Sequence, residues 1–129
     1  MNEDDSEAVR ELATSVPTIV SSGLAMVEVN CVFHRHMREG SLTREQSQAC
    51  SVAFEGHVKA GFWKLVPVTA GLLQRAGRLL VDAPPGIFLR AGDGIHTTTA
   101  RDLGEIEIWT NDRRMLAAAP YFGLAGRSV

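Results

Sequence analysis

The sequence predicts an α/β fold with a parallel sheet covered by helices on both faces. Helical patterns alternate along the chain with short segments rich in β-branched residues, at Thr18–Ser21, Trp63–Val68 and Ile106–Thr110. Strands that alternate with helices in this way imply a parallel sheet with helices packed on each side. A chain of 129 residues suits one domain and is long enough to bury a hydrophobic core, so a single domain over residues 1–129 is predicted.

The first predicted helix covers EAVRELATSV, with Asp5 or Ser6 as its N-cap. Pro17 ends this helix, and the strand Thr18–Ser21 follows. Ser21, Ser22 and Gly23 lead into a second helix that runs to about Glu39. Its last turn contains His34, Arg35, His36 and Arg38, which favour the helix dipole and could also contact phosphates.

Two N-caps fix the starts of the middle helices. Thr43 and Gln46 form a capping box for a helix from Arg44 to about Ala60. The strand Trp63–Val68 follows, and its proline places it towards a sheet edge. Thr69 is the predicted N-cap of the next helix, AGLLQRAGRLL.

The stretch Leu89–Met115 predicts a helix, a tight break, the strand Ile106–Thr110 and a final helix. The first of these helices contains two glycines and three consecutive threonines, so packing or a ligand must hold it. Asp93 lies in its first turn, and Asp112 lies just past a strand that is predicted to be buried. The tail GLAGRSV is at most a short edge strand.

The two aspartates allow two interpretations. Open α/β sheets place ligand chemistry at the carboxyl ends of their strands, which is where Asp112 lies. Alternatively, Asn111 or Asp112 caps the final helix, and Asp93 is a solvated acid at a helix start.

Glu28 is the only charged residue within LAMVEVNCVF. A buried carboxylate needs a cation, a proton or a polar cleft, so Glu28 is a candidate functional residue; a salt bridge to an arginine is the alternative. Several carboxylates without His or Cys partners suit a hard cation such as Mg²⁺ or Mn²⁺. Such a cation can activate water for phosphodiester hydrolysis.

Composition limits the binding partners and the cellular location that the sequence predicts. The net charge of −2 predicts no strong general attraction to nucleic acid. Cys31 and Cys50 lack metal-like spacing and no secretory leader precedes them, which favours reduced thiols in a cytoplasmic protein. No apolar run reaches about 18 residues, so no membrane span is predicted.

Longer patterns resemble a known family. RAGDGIHTTTARDLG followed by IEIWTNDRRMLAAA is similar to the C-terminal half of PIN domains, particularly the VapC toxins of bacterial toxin–antitoxin pairs. The helix pattern comprises Arg90, Asp93, His96 and Ala100, and the strand ends in Thr110 and Asp112. SSGLAMVEVNCVFHRHMREGSLT resembles the family's Glu-bearing helix and WKLVPVT its middle strand. The resemblance covers about Glu3 to Gly126.

The resemblance implies a three-layer α/β/α fold and a Mg²⁺- or Mn²⁺-dependent endoribonuclease. It places Glu28, Asp93 and Asp112 on metal-ligand positions. Thr110 would be a supporting polar group at the metal cleft; the alternative is an ordinary strand threonine. Asn111 could also be a supporting polar group there; the alternative is a helix cap. Arg90 and Arg35 could contact phosphate, and Arg90 could instead balance Asp93. The implied partners are RNA, a VapB-like antitoxin and a second copy of the chain.

The chain departs from the family at its start. Family members open with a central strand ending in Asp-Thr or Asp-Ser, and that Asp is the first metal ligand. Met1 falls after this point, and Asp4 and Asp5 are interpreted as helix caps. An upstream start codon, a truncated gene and a degenerate protein kept for binding remain open. Without this strand, its two neighbours would either show unpaired edges or pair with each other.

A catalytically impaired PIN remnant that binds an antitoxin or a complete relative is therefore the alternative to an enzyme. A third possibility is an unrelated α/β binding domain whose acids are only helix caps.

Overall fold

The structure is a computed structural model that describes residues 18–128. The predicted N-terminal helix, including Asp4 and Asp5, lies outside these residues. The described elements, in chain order, are β1 Ile19–Ser22, α1 Ala25–Arg38, α2 Arg44–Lys59, β2 Trp63–Val66, α3 Ala70–Val81, α4 Ala91–Asp102, β3 Glu107–Trp109, α5 Arg113–Ala118, a 3₁₀ turn Ala119–Phe122 and β4 Ala125–Arg127. No helix in this part of the chain is long and apolar enough to span a membrane.

The predicted α/β class and parallel pairing are confirmed. The described strands form two separate two-stranded parallel sheets, β1–β2 and β3–β4. Each strand therefore has one hydrogen-bonded neighbour among residues 18–128. The described chain also divides into two compact units, residues 18–67 and residues 68–128.

The first unit combines β1, β2, α1 and α2. Ile19 lies opposite Trp63, and the Trp63 ring meets the buried ring of Phe54 edge-on with centroids 5.7 Å apart. The capping box of α2 is present as predicted. The Thr43 hydroxyl accepts from the Gln46 N–H at 3.0 Å, and the Gln46 side chain accepts from the Thr43 N–H at 2.8 Å.

The second unit has its core where the 3₁₀ turn meets α3 and α4. The buried members of this core are Ala118, Ala119, Phe122 and Leu124, and Leu79, Leu80 and Ala100 pack against them. The Thr69 hydroxyl caps α3 by accepting from the Leu72 N–H at 3.1 Å, as predicted. The short tail strand is also confirmed, because β4 pairs with β3 through Ala125–Arg127.

Packing holds the intrinsically weak helix α4. A Cβ added at Gly94 would lie 2.8 Å from a terminal carbon of Leu80, so α3 and α4 approach each other at van der Waals distance there. The three consecutive threonines Thr97, Thr98 and Thr99 are all buried. Of the two ways of holding this helix that the sequence allows, the structure provides packing.

The prediction that Ile106–Thr110 is a buried strand is wrong. The strand is shorter, Glu107–Trp109, and Ile108 is its half-buried member. Ile106 is 80% exposed and Trp109 is 47% exposed. Because β3 has only β4 beside it among residues 18–128, no second strand of this part of the chain pairs with its other edge. The strand β1 is also only partly buried, since Val20 is 41% exposed.

Candidate functional site

Asp112 lies between the end of β3 and the start of α5, and its carboxylate is the N-cap of that helix. Oδ1 accepts from the N–H of Arg114 at 2.8 Å and from the N–H of Met115 at 3.2 Å. The helix-cap interpretation is therefore confirmed for Asp112 and not for Asn111, which is exposed. Among the described residues, Oδ2 of Asp112 accepts no hydrogen bond, so one carboxylate oxygen stays available for a further ligand.

Thr110 orients the backbone at this point. Its N–H donates to the Arg127 carbonyl at 2.9 Å, which extends the parallel ladder by one residue. Its hydroxyl accepts from the Asp112 N–H at 3.0 Å. Such a side-chain turn fixes the direction in which the chain leaves the strand. Thr110 thus sets the position of Asp112.

Asp93 is the third residue of α4 and is half-buried. Its carbonyl accepts from the Thr97 hydroxyl at 2.8 Å. Within residues 18–128 its carboxylate has no hydrogen bond and no ion pair. Arg90, the exposed N-cap residue of α4, makes no side-chain cap and does not pair with Asp93, so the interpretation that Arg90 balances this acid is wrong.

Glu28 lies on α1 in the first unit and is exposed. The prediction that it is a buried carboxylate among apolar residues is wrong, because Ala25 is the buried residue of α1 and the neighbouring Val27 is 60% exposed. The apolar side chains around Glu28 in the sequence do not enclose it. Arg35 is also exposed, in the basic last turn of the same helix.

A match to a known family decides the class of this protein. The family model described as PIN domain matches residues 2–120. The chain belongs to the PIN domain family. PIN domains are typically metal-dependent nucleases, so membership assigns this chain to a nuclease family. Comparisons with curated proteins and with solved structures found no match.

The residues of this PIN domain fit a divalent cation in part. Asp93 offers a half-buried carboxylate without a cationic partner among the described residues, and Asp112 offers one oxygen not used by the helix cap. Both are the hard oxygen ligands that Mg²⁺ and Mn²⁺ accept. However, no three His, Cys, Asp or Glu side chains within residues 18–128 form a metal-binding group.

The structure also reveals a side-chain pair in this PIN domain that the sequence did not predict. The guanidinium carbon of Arg114 lies 4.4 Å from the centroid of the Phe88 ring. Phe88 precedes α4 and Arg114 lies in the first turn of α5. The sequence contains no spacing signal for such a pair, because the contact depends on how the two segments pack.

Proposed function

We propose that this PIN domain is a metal-dependent endoribonuclease of the VapC toxin type, with RNA as substrate and Mg²⁺ or Mn²⁺ as cofactor. Family membership supplies the nuclease class. The observation that carries the proposal to this chain is the half-buried carboxylate of Asp93, which lacks a cationic partner among residues 18–128. A carboxylate without a cationic partner is a hard oxygen ligand of the kind that Mg²⁺ and Mn²⁺ accept.

The proposed ligands are Asp93, Asp112 and Glu28. Asp112 is held for this role by the Thr110 hydroxyl and by the two N–H groups that fix Oδ1. Glu28 is assigned from the family pattern, and it is an exposed residue of α1. A bound cation lowers the pKa of its water and stabilises charge on the phosphodiester during hydrolysis.

The remaining polar residues have supporting roles in this proposal. Thr110 positions Asp112, and Asn111 adds an exposed amide beside it. Arg90 and Arg35 are exposed cations available for phosphate oxygens of RNA. If the chain is a VapC-type toxin, its proposed protein partners are a VapB-like antitoxin and a second copy of this chain. A cytoplasmic location stays a prediction, in keeping with the two free cysteines.

Cleavage of a labelled RNA by the purified chain tests the proposal. Cleavage is expected with Mg²⁺ or Mn²⁺, is expected to stop with excess EDTA, and should return when the cation is restored. RNA that stays intact with every divalent cation tried would overturn the proposed activity.

The second candidate function is a catalytically impaired PIN remnant that acts by binding. One observation favours it, namely that Oδ1 of Asp112 is occupied as a helix cap by the N–H groups of Arg114 and Met115. This function predicts a stable complex with a VapB-like antitoxin, or with a complete PIN relative, and no cleavage. Size-exclusion chromatography of the co-expressed proteins, combined with the cleavage assay, separates the two functions.

A further inference from the structure

Phe88 is an aromatic residue that the fold leaves largely in water. Its side chain is 59% exposed, whereas Phe54 and Phe122 are buried at 7% and 1%. Packing in the hydrophobic core therefore does not explain a phenylalanine at this position. The contact that it does make is with the exposed cation of Arg114, at 4.4 Å from the ring centroid.

The Phe88–Arg114 pair joins the segments next to Asp93 and Asp112, the two aspartates proposed as metal ligands. Phe88 lies in the segment that leads into α4, which contains Asp93. Arg114 follows Asp112 and donates its N–H to that carboxylate at 2.8 Å. Within residues 18–128 its guanidinium forms no ion pair, so its charge is not neutralised by a carboxylate there.

Exposed aromatic rings beside arginines are what proteins use to hold single-stranded nucleic acid. Bases stack on the ring, while the cation contacts the phosphate backbone. The whole chain has a net charge of −2 and cannot attract RNA by general electrostatics. Local contacts of this kind must then supply the binding.

We propose that Phe88 and Arg114 form a binding position for one nucleotide of single-stranded RNA. The base stacks on the exposed part of the Phe88 ring, and the guanidinium of Arg114 donates hydrogen bonds to a phosphate oxygen. Arg114 contacts the ring at the same time and so limits the orientations of both side chains. This inference rests on the proposed ribonuclease function and names the residues that hold its substrate.

The chain offers matched controls for both residues. Phe62, in the first unit, is 60% exposed and contacts the ring of His57 rather than an arginine. Arg78, in the last turn of α3, is an exposed arginine with neither an ion pair nor an aromatic partner among the described residues. F62A removes an exposed aromatic ring, as F88A does, and R78A removes an exposed positive charge, as R114A does. Neither control substitution alters Phe88 or Arg114.

Binding of a fluorescein-labelled ten-nucleotide oligouridine in EDTA, followed by anisotropy, tests the proposal without cleavage. F88A should weaken binding about fivefold or more, as removal of one stacked base does. F88Y should retain the affinity, because the ring remains. R114A should lower the slope of log affinity against log salt by about 0.7, the loss of one phosphate contact on a single strand. F62A should bind like the wild type, and R78A should leave the salt slope unchanged.

The result that overturns the proposal is equal affinity for F88A and F62A, or no binding of oligouridine by the wild type. Thermal melting followed by circular dichroism excludes unfolding of F88A, and F88Y supplies a second test if F88A melts early. A separate cleavage assay distinguishes the two proposals. If binding depends on Phe88 but no RNA is cleaved, the nucleotide position is supported and the nuclease function is refuted. If RNA is cleaved and neither binding nor cleavage changes in F88A, the nuclease function is supported and the nucleotide position is refuted.

Discussion

The carboxylate of Asp112 accepts a hydrogen bond from the backbone N–H of Arg114 at 2.8 Å. One oxygen of this acid therefore has a structural function at the start of α5, while the other makes no hydrogen bond to residues 18–128. Asparagine caps helices about as well as aspartate, but it does not bring the negative charge that a cation needs. Substitutions at Asp112 can therefore separate the cap from the ligand.

We expect D112N to keep its free energy of unfolding within a few tenths of a kcal/mol and to lose RNA cleavage. D112A should lose cleavage as well, and it should also lose about 1 kcal/mol of stability because the cap disappears. Urea denaturation and the RNA cleavage assay measure the two effects. Full cleavage by D112N would show that Asp112 is a helix cap and nothing more.

Glu28 is expected to matter for activity, and E28Q is the substitution that tests it. Cleavage should fall by more than about 100-fold, since even the loss of a residue behind a metal ligand costs about 10- to 100-fold. E45Q, at an exposed glutamate in the first turn of α2, is the matched control and should cleave normally.

Thr98 carries a hydroxyl that the described fold does not satisfy. The side chain is fully buried, and its oxygen has no hydrogen-bond partner within residues 18–128. T98V keeps the shape and removes the buried polar atom, so it should stabilise the protein by about 1 kcal/mol. The neighbouring T97V should instead destabilise it by about 1 kcal/mol, because the Thr97 hydroxyl donates to the Asp93 carbonyl at 2.8 Å. Chemical denaturation measures the free energy of unfolding of both variants. A change of the same sign in T98V and T97V would contradict this account.

The close approach of α3 and α4 predicts opposite effects for two glycines. A Cβ at Gly77 meets nothing within 4 Å, so G77A should gain up to about 1 kcal/mol from helix propensity. A Cβ at Gly94 would lie 2.8 Å from Leu80, so G94A should lose stability despite the same gain in propensity. Melting temperatures of the two variants provide the comparison, and equal stabilisation by both would contradict the packing described.

Local signals were sufficient to predict the helix starts and the order of elements. Thr43 and Thr69 cap their helices as expected, because a capping side chain contacts backbone only three residues away. The strand boundaries were predicted to within two residues, yet the burial of β3 was overestimated. Ile106 and Trp109 have the composition of a buried strand, but exposure depends on how many neighbours a strand has in its sheet.

The candidate site could be predicted in part. The family pattern predicts Asp93 and Asp112 as metal ligands, and that assignment stays a prediction. The sequence did not decide between Asn111 and Asp112 as the helix cap, and the structure assigns the cap to Asp112. Glu28 was expected to be buried because its sequence neighbours are apolar, whereas burial depends on which face of α1 meets the rest of its unit. The Phe88–Arg114 pair had no sequence signal, because its two residues are brought together by packing.

The most direct test of the central claim compares RNA cleavage by D93N with cleavage by D82N in the presence of Mn²⁺. Asp82 is an exposed aspartate at the end of α3 and serves as the matched control for the loss of one negative charge. We predict that D82N cleaves RNA at the wild-type rate and that D93N does not cleave it above background. Equal cleavage by both variants would contradict the assignment of Asp93 to the metal-dependent chemistry of this PIN domain.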